Sequence, residues 1–175
     1  MKGINTLNRF SAFILASALT STLSVGAFAN EVSIEVKIPV INGPENYRPY
    51  VAVWIENGKG KTVKTLSVWR KESDWLKDMR RWWRKAGRYD QGELDAVTSA
   101  TRSAGLHMVS WDGTDQKGNS VSPGKYIVNI EAAREHGSRS WVKETIVLAE
   151  PGKTSSQSYK TKPADELGSI KINVK

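Results

Sequence analysis

Val32-Ser33-Ile34-Glu35-Val36-Lys37-Ile38-Pro39-Val40 sets an aliphatic side chain at every second position and puts serine, glutamate and lysine between them. Successive side chains of an extended chain point to opposite faces, so this stretch reads as a strand with one buried face and one wet face. Working outward, Tyr50 to Glu56 is a second apolar run, Asn57-Gly58-Lys59-Gly60 is a turn cluster, and Thr62 to Trp69 is rich in β-branched and aromatic residues. The two runs therefore read as a hairpin. Further strands are expected at Leu106 to Trp111, Lys125 to Ala133, Trp141 to Leu148 and Ser169 to Val174. Seven short strands without strand–helix alternation predict a mostly β fold, an antiparallel β-sandwich.

One segment breaks the pattern. From Ser73 to Gly87 the residues Trp75, Leu76, Met79, Trp82, Trp83 and Ala86 recur at helical spacing, while Lys77, Arg80, Arg81, Arg84 and Lys85 lie off that stripe. Ser73 can cap the start and Gly87 can end it, which predicts one amphipathic helix inserted near residues 73–87. Gln91 to Gly105 reads as a loop holding at most a short helical turn, and Pro151 to Pro163 as a polar connection before the last strand.

The N-terminus sets the expected compartment. Lys2 and Arg9 precede and flank an uncharged stretch from Phe10 to Val25, and Ala27-Phe28-Ala29 has the small-x-small form of a cleavage site. The stretch is interrupted by serine and threonine and is short for a spanning helix of about 20 apolar residues. A signal peptide over 1–29, cleaved after Ala29, is therefore expected, with residues 30–175 a single periplasmic domain and no stable membrane insertion afterwards. Cleavage would remove two basic residues and no acidic one, lowering the formal net charge from +8 to +6. Most of the excess sits between Arg70 and Arg88, where eight basic residues face three acidic ones. In the periplasm this patch does not make nucleic acid a partner. There is no cysteine, which excludes disulfides, thiolate metal sites and cysteine nucleophiles.

Trp111-Asp112-Gly113-Thr114-Asp115-Gln116-Lys117-Gly118-Asn119 is followed by Pro123-Gly124-Lys125-Tyr126. Its alternating acids and amides resemble a calcium loop, but Pro123 stands where an EF-hand needs its bidentate acid, and Asx-Gly turns use the same residues. The segment from Trp111 to Ile130 resembles the hairpin of the immunoglobulin-like domain in flagellar hook-capping proteins. That likeness makes the expected fold an immunoglobulin-like antiparallel β-sandwich with one inserted amphipathic helix. Asp95 to Gly137, ending in Glu131-Ala132-Ala133-Arg134-Glu135-His136-Gly137, resembles domain-of-unknown-function family 2271, a group of predicted periplasmic proteins. The resemblance implies a fold and a compartment and carries no settled activity.

Asp95-Ala96-Val97-Thr98-Ser99-Ala100-Thr101 is similar to the acceptor sequence of extracytoplasmic flavin transferases, Asp-x-x-Ser/Thr-Gly-Ala-Ser/Thr. There FMN is joined through its phosphate to the last hydroxyl, so the resemblance implies covalent FMN on Thr101, with Asp95, Thr98, Ser99 and Ala100 as the recognised neighbours. Ser99 departs from the usual glycine. Implied partners are a flavin transferase and a membrane redox protein, with the chain an electron carrier. The other reading is a chance match in a small, polar loop.

The tryptophans also divide. Trp75, Met79 and Trp82 are explained by a helix burying its stripe on the sandwich, whereas the adjacent Trp83 projects about 100° away and can meet a ligand. His136 either lines the same site or makes a structural hydrogen bond. No Gly-x-Ser-x-Gly, His-x-x-x-His or Glu-x-x-His spacing supports hydrolytic or metal chemistry. The competing function is a cofactor-free β-sandwich that binds a protein or envelope component through its basic, Trp-rich helix.

Overall fold

In the computed structural model, which describes residues 31–40, 47–89, 95–150, 153 and 156–175, Val32, Ile34, Val36 and Ile38 are buried along one face of β1 (Val32–Ile38). Ser33, Glu35 and Lys37 occupy the wetter face, as the alternation demands. β1 is flanked by two antiparallel neighbours, β5 (Gly105–Trp111) and β9 (Lys171–Val174), and β8 (Gln157–Lys160) extends this sheet to the order β5-β1-β9-β8. A second sheet has the order β4-β3-β2-β6-β7, built from β2 (Tyr50–Asn57), β3 (Thr62–Trp69), β4 (Thr98–Ser99), β6 (Gly124–Ala133) and β7 (Arg139–Leu148). All pairings between these strands are antiparallel except that of β3 with β4. The chain is thus mostly β and sandwich-like. Val32, Ile34, Val53, Ile55, Trp111 and Ile130 belong to the main core, and the Trp111 indole donates to the Thr114 carbonyl at 2.8 Å.

β2 explains the position of the helical segment. Val51, Val53 and Ile55 contribute to the main core, while Tyr50, Ala52 and Trp54 on its other face are just as buried. Leu76, Met79, Trp82 and Ala86 cover that second face, which is why β2 reads as a continuous apolar run. Burying a side chain such as Met79 contributes about 2 kcal/mol.

The inserted helix expected over 73–87 is present but shorter, one continuous helix of eight residues whose first part is α1 (Arg80–Trp82) and whose last turn is π-helical (Trp83–Gly87), and a separate 3₁₀ turn at Asp74–Asp78 precedes it. The break falls at Met79, whose φ of −77° and ψ of 67° leave the helical region. A break of this kind changes the phase of the stripe. Trp75, expected on the buried face, is 36% exposed, whereas Met79 and Trp82 are fully buried. Ser73 makes no side-chain cap, and its hydroxyl accepts from Arg70. Gly87 closes the segment through space: a Cβ there would lie 2.7 Å from the Trp82 ring and 2.8 Å from that of Trp83.

α1 is held by charge as well as by packing. The amides of Arg81 and Trp82 donate to the carboxylate of Glu131 on β6 at 3.1 and 2.8 Å, and Arg139 on β7 donates to the same group. Glu131 is fully buried, so a distant carboxylate supplies the acceptor that a local cap would normally give a helix start. Glu56, also buried, accepts from the Trp54 indole at 3.1 Å and has Arg81 and Lys85 at 3.7 and 3.9 Å. The Arg81 guanidinium carbon lies 4.0 Å from the centre of the Trp141 ring.

Two strands lie where loops are expected. β4 forms inside the 91–105 loop and β8 inside the 151–163 connection, because each polar segment hydrogen-bonds to an otherwise open sheet edge. Residues 90–94 and the expected export signal over 1–29 lie outside the described residues.

The Trp-Asp-Gly loop uses its carboxylates on itself. Asp112 accepts from the Thr114 hydroxyl at 2.6 Å, the Thr114 amide at 3.1 Å and Lys64 at 3.2 Å, and Asp115 accepts from the amides of Lys117 and Asn119 at 2.9 Å. Gly113 and Gly118 take φ values of 72° and 82°, which these tight turns require. The Thr114 hydroxyl, followed by the other hydrogen bonds and Lys64, holds the Asp112 carboxyl below its usual pKa of 3.8. A lowered folded-state pKa contributes stability above about pH 4 that is lost as pH falls through the folded value. Melting temperature followed from pH 5 to pH 2 should therefore fall less steeply in Asp112→Asn than in the native chain.

Removing the buried Glu131 carboxylate leaves the Arg81 and Trp82 amides without their acceptor, while Arg139, 40% exposed, keeps access to water. Glu131→Ala should lower unfolding free energy in urea by about 3 kcal/mol or more, with Glu131→Gln losing less because one acceptor oxygen remains. A loss for Glu131→Ala below about 1 kcal/mol, the net worth of an ordinary hydrogen bond, would show that α1 docks without it.

Candidate functional site

Thr101 is positioned by β4. Thr98 and Ser99 run parallel to Val68 and Trp69 at the end of β3, and the Arg70 amide continues the ladder by donating to the Ser99 carbonyl at 2.8 Å. Asp95, Ala96 and Val97 form a helical turn just before it, with Val97 packed against the cluster under the helical segment. Asp95 is 85% exposed, its carboxylate 3.8 Å from Arg70, an ion pair too solvated to contribute much to stability. Arg102 donates to the Ser99 hydroxyl at 3.5 Å, and Ala100 is exposed. His136 is the one non-glycine residue with positive φ among the described residues. Ser99 therefore holds a backbone conformation open to any L-residue, and nothing in this conformation demands the glycine usual at its position.

Beyond Ala100 the chain leaves the sheet and Thr101 borders a hollow of about 290 Å³, together with Tyr47, Arg48, Tyr50, Lys71 and Glu135. Thr101 is half-buried, and among the described residues its hydroxyl has no hydrogen-bond partner. Arg48 and Lys71 are exposed, and each can offset anionic oxygens. Tyr50 is buried, and burial pushes its phenol above the usual pKa of 10.0, so it stays neutral at physiological pH. A hydroxyl on a residue that shares this hollow with two cations, and with the acid Glu135, is chemically able to carry a phosphate as an ester.

The turn between β6 and β7 supplies the opposite wall. Glu166 is buried and accepts from Arg134 Nε at 3.0 Å and from the amide and hydroxyl of Ser138 at 3.0 and 2.8 Å. This grip from the C-terminal region fixes the turn, at whose tip His136 takes a φ of 53°. The His136 ring lies 5.8 Å from that of Tyr47, and its Nε2 is 4.0 Å from Glu135. A second hollow of about 350 Å³ is bordered by Trp75, Arg80, Glu135, His136 and Arg139, among others.

The sequence-predicted site residues thus separate. Asp95, Thr98, Ser99, Ala100 and Thr101 form one continuous segment on and beside β4, and His136 stands across from it through Tyr47. Trp83 borders neither hollow: it is half-buried, with its ring 6.3 Å from that of Trp82 and its side chain packed on the cluster beneath the helical segment. Sequence reasoning missed Tyr47, Arg48, Lys71 and Glu135 as neighbours of Thr101. Glu135 lies in the segment that carries the family resemblance and Lys71 in the basic patch, but Tyr47 and Arg48 have no local signal.

Among the described residues no three histidine or acidic side chains gather as a metal site, and no helix is long and apolar enough to cross a membrane. Neither a curated protein nor a solved structure matches the chain. A family profile described as "Predicted periplasmic protein (DUF2271)" matches residues 31–169, a span that holds the helical segment, Thr101, His136 and every strand except β9. The chain therefore belongs to DUF2271, a family of predicted periplasmic proteins.

Proposed function

We propose that this protein is a periplasmic electron carrier bearing FMN covalently on Thr101. The observation that carries the reading is that Thr101, half-buried and with a hydroxyl that has no partner among the described residues, borders a hollow that Arg48 and Lys71 also line. The short acceptor pattern Asp95 to Thr101 and the periplasmic character of the family point the same way.

Attachment is a phosphoryl transfer catalysed by a separate flavin transferase from a donor in which FMN is linked through a pyrophosphate. The bond from Thr101 Oγ to phosphorus forms, the pyrophosphate P–O bond breaks, the nucleotide half leaves, and the hydroxyl proton passes to a base of the transferase. β4 presents the acceptor at a sheet edge, where an enzyme reaches the backbone of residues 98–101 without unfolding the sandwich. Arg48 and Lys71 balance the phosphodiester charge once it is made. Bound FMN supplies reversible electron transfer, and the chain's part is to hold it, set its surroundings and limit its exposure. A membrane redox protein is the electron donor in this reading.

A second reading rests on one specific feature. Lys77, Arg80, Arg84 and Arg88 are exposed on the helical segment, so a cofactor-free module that binds an acidic partner through this surface is the alternative. Arg81 drops out of that surface, since it packs between Glu56 and Trp141.

Co-expression with a flavin transferase, followed by intact mass and visible spectrum, tests the first reading. The native chain should gain the mass of FMN less one water and stay yellow on denaturation; Thr101→Ala should remain folded, colourless and unmodified, and Thr101→Ser should keep the adduct. An Arg80→Gln, Arg84→Gln pair should leave the adduct unchanged. A flavin that persists in Thr101→Ala would overturn the assignment, and a colourless native chain with a salt-sensitive partner lost in the arginine pair would favour the binding module.

A further inference from the structure

Trp75 is the aromatic residue of the helical segment that the core leaves at the surface, 36% exposed beside the fully buried Met79 and Trp82. An indole so placed leaves apolar area in water, and it does so on the rim of the larger hollow, across from His136. That hollow and the Thr101 hollow adjoin: Glu135 borders both, and Tyr47 of one meets His136 of the other at 5.8 Å.

The order of groups across the two hollows is chemically ordered. Arg48 and Lys71 border the hollow of Thr101, Glu135 borders both hollows, and Trp75, Asp78, Arg80 and His136 are among the residues around the far one. FMN has the same order from end to end: an anionic phosphate, a polyol whose hydroxyls donate hydrogen bonds, and a planar aromatic system with a polar edge. Cations suit the first, a carboxylate acceptor the second, and an indole, an imidazole and a guanidinium the third. Among the described residues Arg80 makes no ion pair, and it shares the border of this hollow with Asp78, so a cation and an acid both stand there for the polar edge of a ring.

We infer that the isoalloxazine of an FMN carried on Thr101 seats in the hollow bordered by Trp75 and His136, with Glu135 receiving the ribityl hydroxyls; this rests on the attachment proposed above. The seat shields one side of the ring from water, and the flavin would be half-enclosed.

Intact mass and flavin fluorescence, measured on the same samples, separate the two ideas. An indole next to a photoexcited flavin quenches it by electron transfer, so the native adduct should be several-fold dimmer than free FMN. Trp75→Ala, with its mass still increased by FMN and its circular dichroism unchanged, should regain most of that brightness. Trp83→Phe should stay dim, because Trp83 borders neither hollow. Should Trp75→Ala fail to fold, Trp75→Phe carries the same test with a weaker electron donor and a partial recovery. A flavinylated native chain as bright as free FMN, or flavinylated Trp75 variants as dim as the native chain, would overturn the seat while leaving the attachment intact. An unmodified native mass would overturn both.

Discussion

The buried carboxylate of Glu131 joins β6, β7 and the start of α1 at a single point, adding hydrogen bonds to contacts that packing and strand pairing already make. It projects from the middle strand pair of the larger sheet, receives two amides at the start of α1 and one guanidinium from β7, and is sealed from water. A carboxylate in such a place is tolerable only when every oxygen is engaged. Its presence therefore helps to fix where the helical segment lands and in which rotation. Once α1 is set, Met79, Trp82 and Ala86 fall onto Tyr50, Ala52 and Trp54, and the outer face of β2 becomes a second core.

The candidate site inherits its geometry from that docking. Val97 packs into the same second core, so β4 is drawn to the end of β3 and Thr101 is delivered to the hollow beyond it. Across the hollow a second buried carboxylate, Glu166, clamps the β6–β7 turn from the far end of the chain through Arg134 and Ser138. Two buried acids thus position two walls: Glu131 the helical one that carries Trp75, and Glu166 the turn that carries Glu135 and His136. The basic patch is divided by the same arrangement. Arg81 and Lys85 turn toward Glu56, while Arg80 and Arg84 remain at the surface.

Legibility in the sequence followed local periodicity. The alternation of Val32 to Ile38, the apolar run of β2 and the turn at Asn57 to Gly60 are properties of a few neighbouring residues, and the sandwich follows from them. The stripe of Trp75, Met79 and Trp82 was readable as helical, but its continuity was not, because the break at Met79 answers to the sheet beneath it and not to helix propensity. β4 and β8 carry no alternating apolar residues and exist because a sheet edge needed hydrogen-bond partners. The acceptor pattern around Thr101 was visible as a string of residue types; Tyr47, Arg48 and Glu135 beside it were not, since their proximity depends on loops that meet only in three dimensions.

By itself the sequence determined the class of fold, the strands with one buried face and the lack of cysteine chemistry, since each depends on residue type and short-range spacing. Only the tertiary structure decided which tryptophan stays at the surface, which arginines are free and what surrounds Thr101. Those outcomes depend on burial, and burial of Glu131, Glu56 and Glu166 is settled jointly by strands and turns tens of residues apart.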